Sequence, residues 1–433
     1  MPGISDSTMR GRRELKTHIS IKGELFYING QPVYSEVSPG NPDAHGLLMN
    51  ARFVQGIFDD KADPQRFARF GWEKWDPERN TKGLIEALPE WYSYGLRAIT
   101  VGLQGGMPVF TVRNETINNN PFSEDGTEID PAYLSRLDSL IKAADDIGMV
   151  VVVSILYEGQ SPRLRDGRTI RNAVTSACRF LREMNYTNVI IEVANECNVG
   201  QFKRHPLVYY SEGAAALVDL AREESGGMLV GCSLGGGDVD REIAEASDVI
   251  LIHGNGTTRQ HYYNQVQKVR EFNLDKPIVC NEDSPCIGQL QVAFDTKTSW
   301  GYYNNLTKQE PPADWSVTKG EDLFFARRIA RGVGIPLEEL SLQDQYYFQG
   351  FEEHISSGDQ RWLRVASEFP ETIDKVCFYR NDELVYIAYD EPFFLKYQTS
   401  WIQESVQVLP GDEWRAEIHL STGKTMDLVK KVE

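Results

Sequence analysis

NVIIEVANECN (188–198) and KPIVCNEDS (276–284) decide the fold. Each is an apolar run that closes on an Asn-Glu pair, Asn195-Glu196 in the first and Asn281-Glu282 in the second. A continuous apolar run, rather than an alternating one, suits a strand covered on both faces. Carboxyls at the ends of two separate strands suit cleavage of a glycosidic bond, where one acts as acid/base and the other as nucleophile. Asn195, beside its glutamate, can hold a sugar 2-hydroxyl. Asn and Glu also end strands as ordinary caps and turns, so the weight lies on the two pairs together.

Outward from these two runs, similar strand candidates recur. They are GLLMNARFVQGIF (46–58), LRAITVGL (96–103), MVVVVSILY (149–157), NVIIEVAN (188–195), MLVGCSLGG (228–236), DVILIHGNG (248–256), KPIVCNED (276–283) and SWGYYNN (299–305). Amphipathic stretches of helical length lie between them. PAYLSRLDSLIKAADDIG (131–148) puts Leu134, Leu137, Leu140, Ile141 and Ala144 on one face. Asp130-Pro131 supplies a cap and a first-turn proline. Eight strand-helix units in series predict an α/β chain with a closed (β/α)8 TIM barrel over 46–335.

The flanks have a different texture. Residues 1–45 read as a loose polar tail and a β-hairpin closing the barrel, with turns at Lys22-Gly23 and Asn29-Gly30. Residues 336–359 read as a connector. From 360 to 433 the period becomes two, with turns at Arg380-Asn381-Asp382, Pro410-Gly411 and Thr422-Gly423. That predicts a small C-terminal β-sandwich of immunoglobulin-like type, about 75 residues long.

The chain has 433 residues, 41% apolar and 25% charged, with a net charge of −18 and a pI near 5.0. Such a balance argues against nucleic acid as a partner. No apolar run approaches the ~20 residues that span a bilayer, so no membrane partner is expected. The six cysteines show no zinc spacing and read as reduced core thiols. Seven histidines with no His-x-His at a strand end make a metal-dependent hydrolase a poor fit. No metal or cofactor is expected, and oligomeric state is left open. As written, the chain carries no secretory signal and reads as cytoplasmic, or as secreted or periplasmic if a signal peptide has been removed.

In a barrel the working groups sit at the C-terminal strand ends. Glu196 ends the fourth candidate strand and Glu282 the seventh. In this the chain resembles the clan A glycoside hydrolases, over roughly residues 19–335. The resemblance implies a retaining β-glycosidase acting by double displacement on an oligo- or polysaccharide, with Glu196 as acid/base and Glu282 as nucleophile. It also implies that Trp300, opening strand eight, stacks on the sugar at the cleavage point. The strings GLLMNARFVQGIFDD, LQGG, NECN, HGNG, NED and PPADW resemble a little-characterised bacterial branch of glycoside hydrolases. The family-five arginine of strand two is absent, with Thr100 about there, and His253-Gly254-Asn255 stands where that family has a His-x-Tyr pattern. Arg52, His253 or Asn255 is then left to keep Glu282 ionised.

Other residues carry two readings each. Gln104 can bond sugar hydroxyls or sit in a glycine-permitted turn. Tyr157 can reach the nucleophile, stack on a sugar or pack in the core. Trp72, Trp75 and Trp315 suit sugar faces or local packing. Glu192, deep in its strand, reads as structural, and Glu158 and Asp283 read as alternative carboxylates or as solvated loop charge. The competing reading is a catalytically inactive carbohydrate-binding barrel, and the presence of both glutamates speaks against it.

Overall fold

The computed structural model describes residues 14–106, 108, 116–352, 356–396 and 404–433. Residues 1–13 of the expected tail lie outside them. The first sheet is antiparallel, β1 (Ile19–Lys22), β2 (Leu25–Ile28) and β3 (Gln31–Pro32). Asn29 (φ 53°) and Gly30 (φ 77°) both take the left-handed conformation, as a tight hairpin turn requires. Ile19 N–H donates to the Thr187 carbonyl, and Phe26 is buried in the main core. The hairpin therefore rests on the end of the barrel where its strands begin.

Eight parallel strands follow: β4 (Asn50–Arg52), β5 (Ala98–Gly102), β6 (Val150–Leu156), β7 (Val189–Ala194), β8 (Leu229–Gly231), β9 (Ile250–His253), β10 (Ile278–Glu282) and β11 (Gly301–Tyr302). One ladder runs β11-β4-β5-β6-β7-β8 and a second joins β9 to β10. Two seams close the cylinder. Asp248 N–H donates to the Val230 carbonyl at 2.8 Å, and Cys280 N–H to the Ser299 carbonyl at 2.9 Å. Val150–Leu156 and Val189–Ala194 are buried at every position, as continuous apolar runs require when helices cover one face and barrel filling the other.

Helices α1 (Pro77–Ser93), α2 (Pro131–Ile147), α3 (Gly167–Glu183), α4 (Pro206–Tyr209), α5 (Ser211–Ser225), α6 (Arg241–Ala246), α7 (Arg259–Arg270), α8 (Gly288–Asp295) and α9 (Glu321–Val333) form the outer layer. Asp76, Asp130, Asp166, Asp240 and Thr258 each accept a first-turn N–H from their helix, satisfying donors that would otherwise be unpaired. On α2 the expected face is right except at Leu134, which is half-exposed. Tyr133 fills that place, its hydroxyl donating to Asn119 Oδ1 at 2.9 Å. No helix among the described residues is long and apolar enough to cross a membrane.

The C-terminal part is a small β-sandwich. A four-stranded antiparallel sheet has the order β17 (Glu383–Ala388), β16 (Ile373–Arg380), β19 (Glu413–Leu420), β20 (Thr425–Lys431). Against it lie β12 (Tyr346–Gln349) paired with β15 (Arg364–Ser367), and a small sheet of β13 (Ser356–Ser357), β14 (Gln360–Arg361) and β18 (Val406–Gln407). Trp414, Ala416, Ile418 and Leu420 point inward in strict alternation. The expected connector 336–359 supplies a strand: Tyr346 and Phe348 of β12 belong to this second core. Strand pairing with β15 draws them in, a long-range contact that local period does not report. Arg364 Nη1 meets Glu321 Oε2 at 2.9 Å and Arg327 Nε meets Glu368 Oε2 at 2.9 Å, tying α9 to the sandwich. All six cysteines are free and buried.

Candidate active site

β7 and β10 deliver their terminal residues to the same mouth of the barrel. Glu196 follows β7 at φ 52°. That left-handed conformation costs an L-residue about 1–2 kcal/mol and is held by Ser233 Oγ, which accepts the Glu196 N–H at 3.0 Å. β10 carries a register shift between Cys280 and Glu282, a bulge that re-aims side chains. It leaves Asn281 pointing inward, with Nδ2 donating to Glu192 Oε1 at 2.9 Å, and turns Glu282 to the cleft.

Beneath the two glutamates lies a sealed charge cluster. Arg52, 1% exposed, places Nε 2.5 Å from Glu282 Oε2 and Nη1 3.7 Å from Glu192 Oε2, and donates from Nη2 to Asn195 Oδ1 at 2.5 Å. His253, fully buried, sets Nδ1 3.0 Å from Glu196 Oε1 and 3.7 Å from Glu282 Oε2, with Nε2 3.9 Å from Glu192 Oε1. Asn255 Nδ2 donates to Glu282 Oε1 at 2.5 Å. One oxygen each of Glu196 and Glu282, with a His253 ring nitrogen, all fall within 4.8 Å of one another.

The electrostatics follow from burial and these contacts. Burial opposes a charged His253, but Glu282, Glu192 and Glu196 outweigh it and push its pKa up to about 10, so it is an imidazolium. Burial likewise opposes an ionised Glu192, yet His253 and Arg52 bring it down to about 2. Glu282 behaves otherwise than a simple nucleophile assignment expects. Burial raises it, Arg52 and His253 pull it back, Glu196 adds repulsion, and the net direction is upward. Tyr157 and Tyr303, raised chiefly by burial, remain neutral phenols.

A cleft of about 420 Å³ opens above this cluster. Of the residues expected to form the site, Glu196, Glu282, Asn195, Asn255 and Tyr157 line it. The others do not. Arg52 and His253 lie under the glutamates, in contact with them. Gln104 is fully buried, donating to Asn120 Oδ1 and accepting the Tyr157 N–H, both at 2.8 Å. Its amide is spent on joining loops, leaving none for a sugar. Trp300 is fully buried too: Nε1 donates to Asp283 Oδ2 at 2.8 Å and the ring packs on Phe325. The indole turns into the barrel wall because Asp283, buried and raised to about 8 by desolvation, needs that donor.

Trp75, Trp72 and Trp315 are packing anchors as well. Trp75 joins Phe58, Phe67 and Ile117, Trp72 stacks on Trp75, and Trp315 bonds Asn80 Oδ1. Tyr303, Asn305 and Gln309, all on the cleft wall, went unnoticed in the sequence. The run YYNN at the end of strand eight is the one signal that marks two of them.

No family model matches the chain, and no curated protein matches it. Among solved structures, it is similar to a β-glucuronidase of Parabacteroides merdae (11% identity, 95% of this chain and 50% of that one, TM-score 0.42). It is also similar to β-glucuronidase 3 of Bacteroides uniformis (11%, 96% and 52%, TM-score 0.41) and to an endo-β-1,4-mannanase of Thermotoga petrophila (13%, 89% and 97%, TM-score 0.44). The chain thus spans about half the length of the two glucuronidases and nearly all of the mannanase.

Proposed function

We propose that the chain is a retaining β-glycoside hydrolase, with Glu196 as acid/base and Glu282 as nucleophile. The carrying observation is the proximity of the two carboxyls, an oxygen of each within 4.8 Å, at the mouth of a barrel cleft. Retaining pairs stand about 5–5.5 Å apart, whereas inverting pairs leave about 6.5–9.5 Å for a water.

Charge balance supports the division of labour. Glu192, Glu196 and Glu282 face two buried cations, Arg52 and His253. One proton on the glutamate pair makes the cluster neutral. Glu196 is one of the causes that raise Glu282. With the proton on Glu196, repulsion on Glu282 disappears while Arg52 and Asn255 still stabilise its anion. The Glu196 side chain is also the more open, 19% against 9% exposed, as exchange of a proton with leaving group and water requires.

In the first step Glu282 Oε attacks the anomeric carbon and Glu196 protonates the departing oxygen. In the second, Glu196 removes a proton from water, and that water displaces Glu282. Asn195, oriented by Arg52, is placed to bond the sugar beside Glu196. A 2-deoxy-2-fluoro aryl glycoside panel tests this: mass spectrometry should find one sugar on the peptide carrying Glu282. Glu196→Gln should keep glycosylation by good leaving groups and yield a β-glycosyl azide with azide. Azide rescue of Glu282→Gln instead would reverse the roles, and wild-type rates in both variants would end the reading.

A further inference from the structure

Glu158 opens the 3-10 turn Glu158–Arg163 directly after β6 and lines the same cleft as Glu196 and Glu282. Its Oε2 accepts a long contact from Gln201 N–H, 3.5 Å, in the loop that follows Glu196. That puts it on the acid/base side, where the leaving-group sugar sits in a retaining mechanism. Among the described residues it forms no ion pair.

The cleft wall is lopsided in charge. Three carboxylates face it, and among the described residues lining it there is no Lys, Arg or His. Arg52 and His253 are sealed beneath, 1% and 0% exposed, and committed to Glu192, Glu196 and Glu282. Counting Glu158, four carboxylates stand against two cations. Burial and the nearby Glu196 and Glu282 work against the charge on Glu158, a penalty that a cation on the substrate relieves.

We propose that Glu158 determines substrate class: it binds an ammonium-bearing amino sugar on the leaving-group side of the cleft and disfavours uronates. The proposal rests on the glycosidase reading above, and deepens it. An ammonium within reach of this half-buried carboxylate lies between a screened surface pair and a desolvated one, a preference of about tenfold over the neutral sugar. A uronate meets the charges of Glu158 and Glu282, with no Lys, Arg or His among the described residues lining the cleft.

Isothermal titration on the Glu282→Gln protein, which does not consume ligand, tests the idea. The probes are the β-1,4 glucosamine trimer and cellotriose, which differ in ammonium against hydroxyl at C2, and a β-linked glucuronate trimer. The expected order is glucosamine trimer about tenfold tighter than cellotriose, with the glucuronate trimer weakest. Adding Glu158→Gln should bring the first two together, and Glu158→Asp should keep part of the preference. Equal binding in the parent, a preference that survives Glu158→Gln, glucuronate binding as tight as cellotriose, or no binding of any trimer overturns the proposal. Failure of the glycosidase reading shows separately, as absence of turnover and of Glu282 labelling in the wild-type protein.

Discussion

Removing the Arg52 side-chain charge is the sharpest probe of the cluster. Arg52 is 1% exposed and contacts Glu282, Glu192 and Asn195. In Arg52→Met, the two carboxylates keep only His253 as a cation. Opposite charges about 4 Å apart interact by about 4 kcal/mol at an effective dielectric of 20. At 1.36 kcal/mol per unit, that is up to about 3 units of pKa. His253 and Asn255 still stabilise the Glu282 anion, so the expected rise is about 2 units. The sign is fixed: a lost cation disfavours the ionised form, so Glu282 holds its proton to higher pH. Carbon-13 NMR of labelled glutamates should show this titration move upward, and the acid limb of the kcat/KM profile should follow. Arg52→Lys, which keeps a charge but not the fork, should fall between. Breaking a buried pair also costs about 3–5 kcal/mol of stability, so circular dichroism must first show a folded barrel. A folded Arg52→Met protein whose Glu282 titration moves by less than about half a unit would refute the account.

Three further outcomes are expected. Glu391, half-buried and raised by desolvation to about 7 from 4.5, accepts the Gly288 N–H at 2.8 Å and links sandwich to barrel; the folded state holds its proton longer than the unfolded state, so stability falls as pH rises from 4.5 through 7, by roughly 3 kcal/mol at most, and Glu391→Gln should flatten a denaturation series across that range. Trp300→Phe should lower stability by about 1–3 kcal/mol through the unpaired Asp283 Oδ2 and leave KM within about twofold, whereas a large rise in KM would restore the stacking role. Gln104→Ala releases both the Tyr157 N–H and the Asn120 side chain, so hydrogen exchange at Tyr157 should accelerate, and unchanged exchange would deny Gln104 its anchoring role.

The barrel was legible because its strands are mostly apolar runs and four of its helices open on Asp caps. Those signals are local and survive in one dimension. The pairing of Glu196 with Glu282 was legible for the same reason: strand ends are marked, and all strands point one way. What failed was side-chain direction. Trp300 and Gln104 stand where a cleft residue would stand, yet a buried Asp283 and a Tyr157 amide claim their polar atoms. Such claims depend on partners far along the chain or across a loop, which a strand-end position does not reveal. The second core's use of Tyr346 and Phe348 has the same origin, a strand recruited by a partner beyond the apparent boundary.

Both proposed catalytic positions break local regularity, and each break has its own support. Glu196 sits at φ 52°, where an L-residue is strained, and Ser233 and His253 grip it from backbone and side chain. Glu282 follows a bulge, and Arg52 and Asn255 grip it. Glu192, buried in β7, completes the arrangement: it takes Asn281 Nδ2 and the field of both cations, and together with Glu282 and Glu196 it keeps His253 charged. A neutral imidazole would leave the cluster with three carboxylates and one cation. The glutamate of strand four therefore bears on the charge of the cluster from inside the barrel.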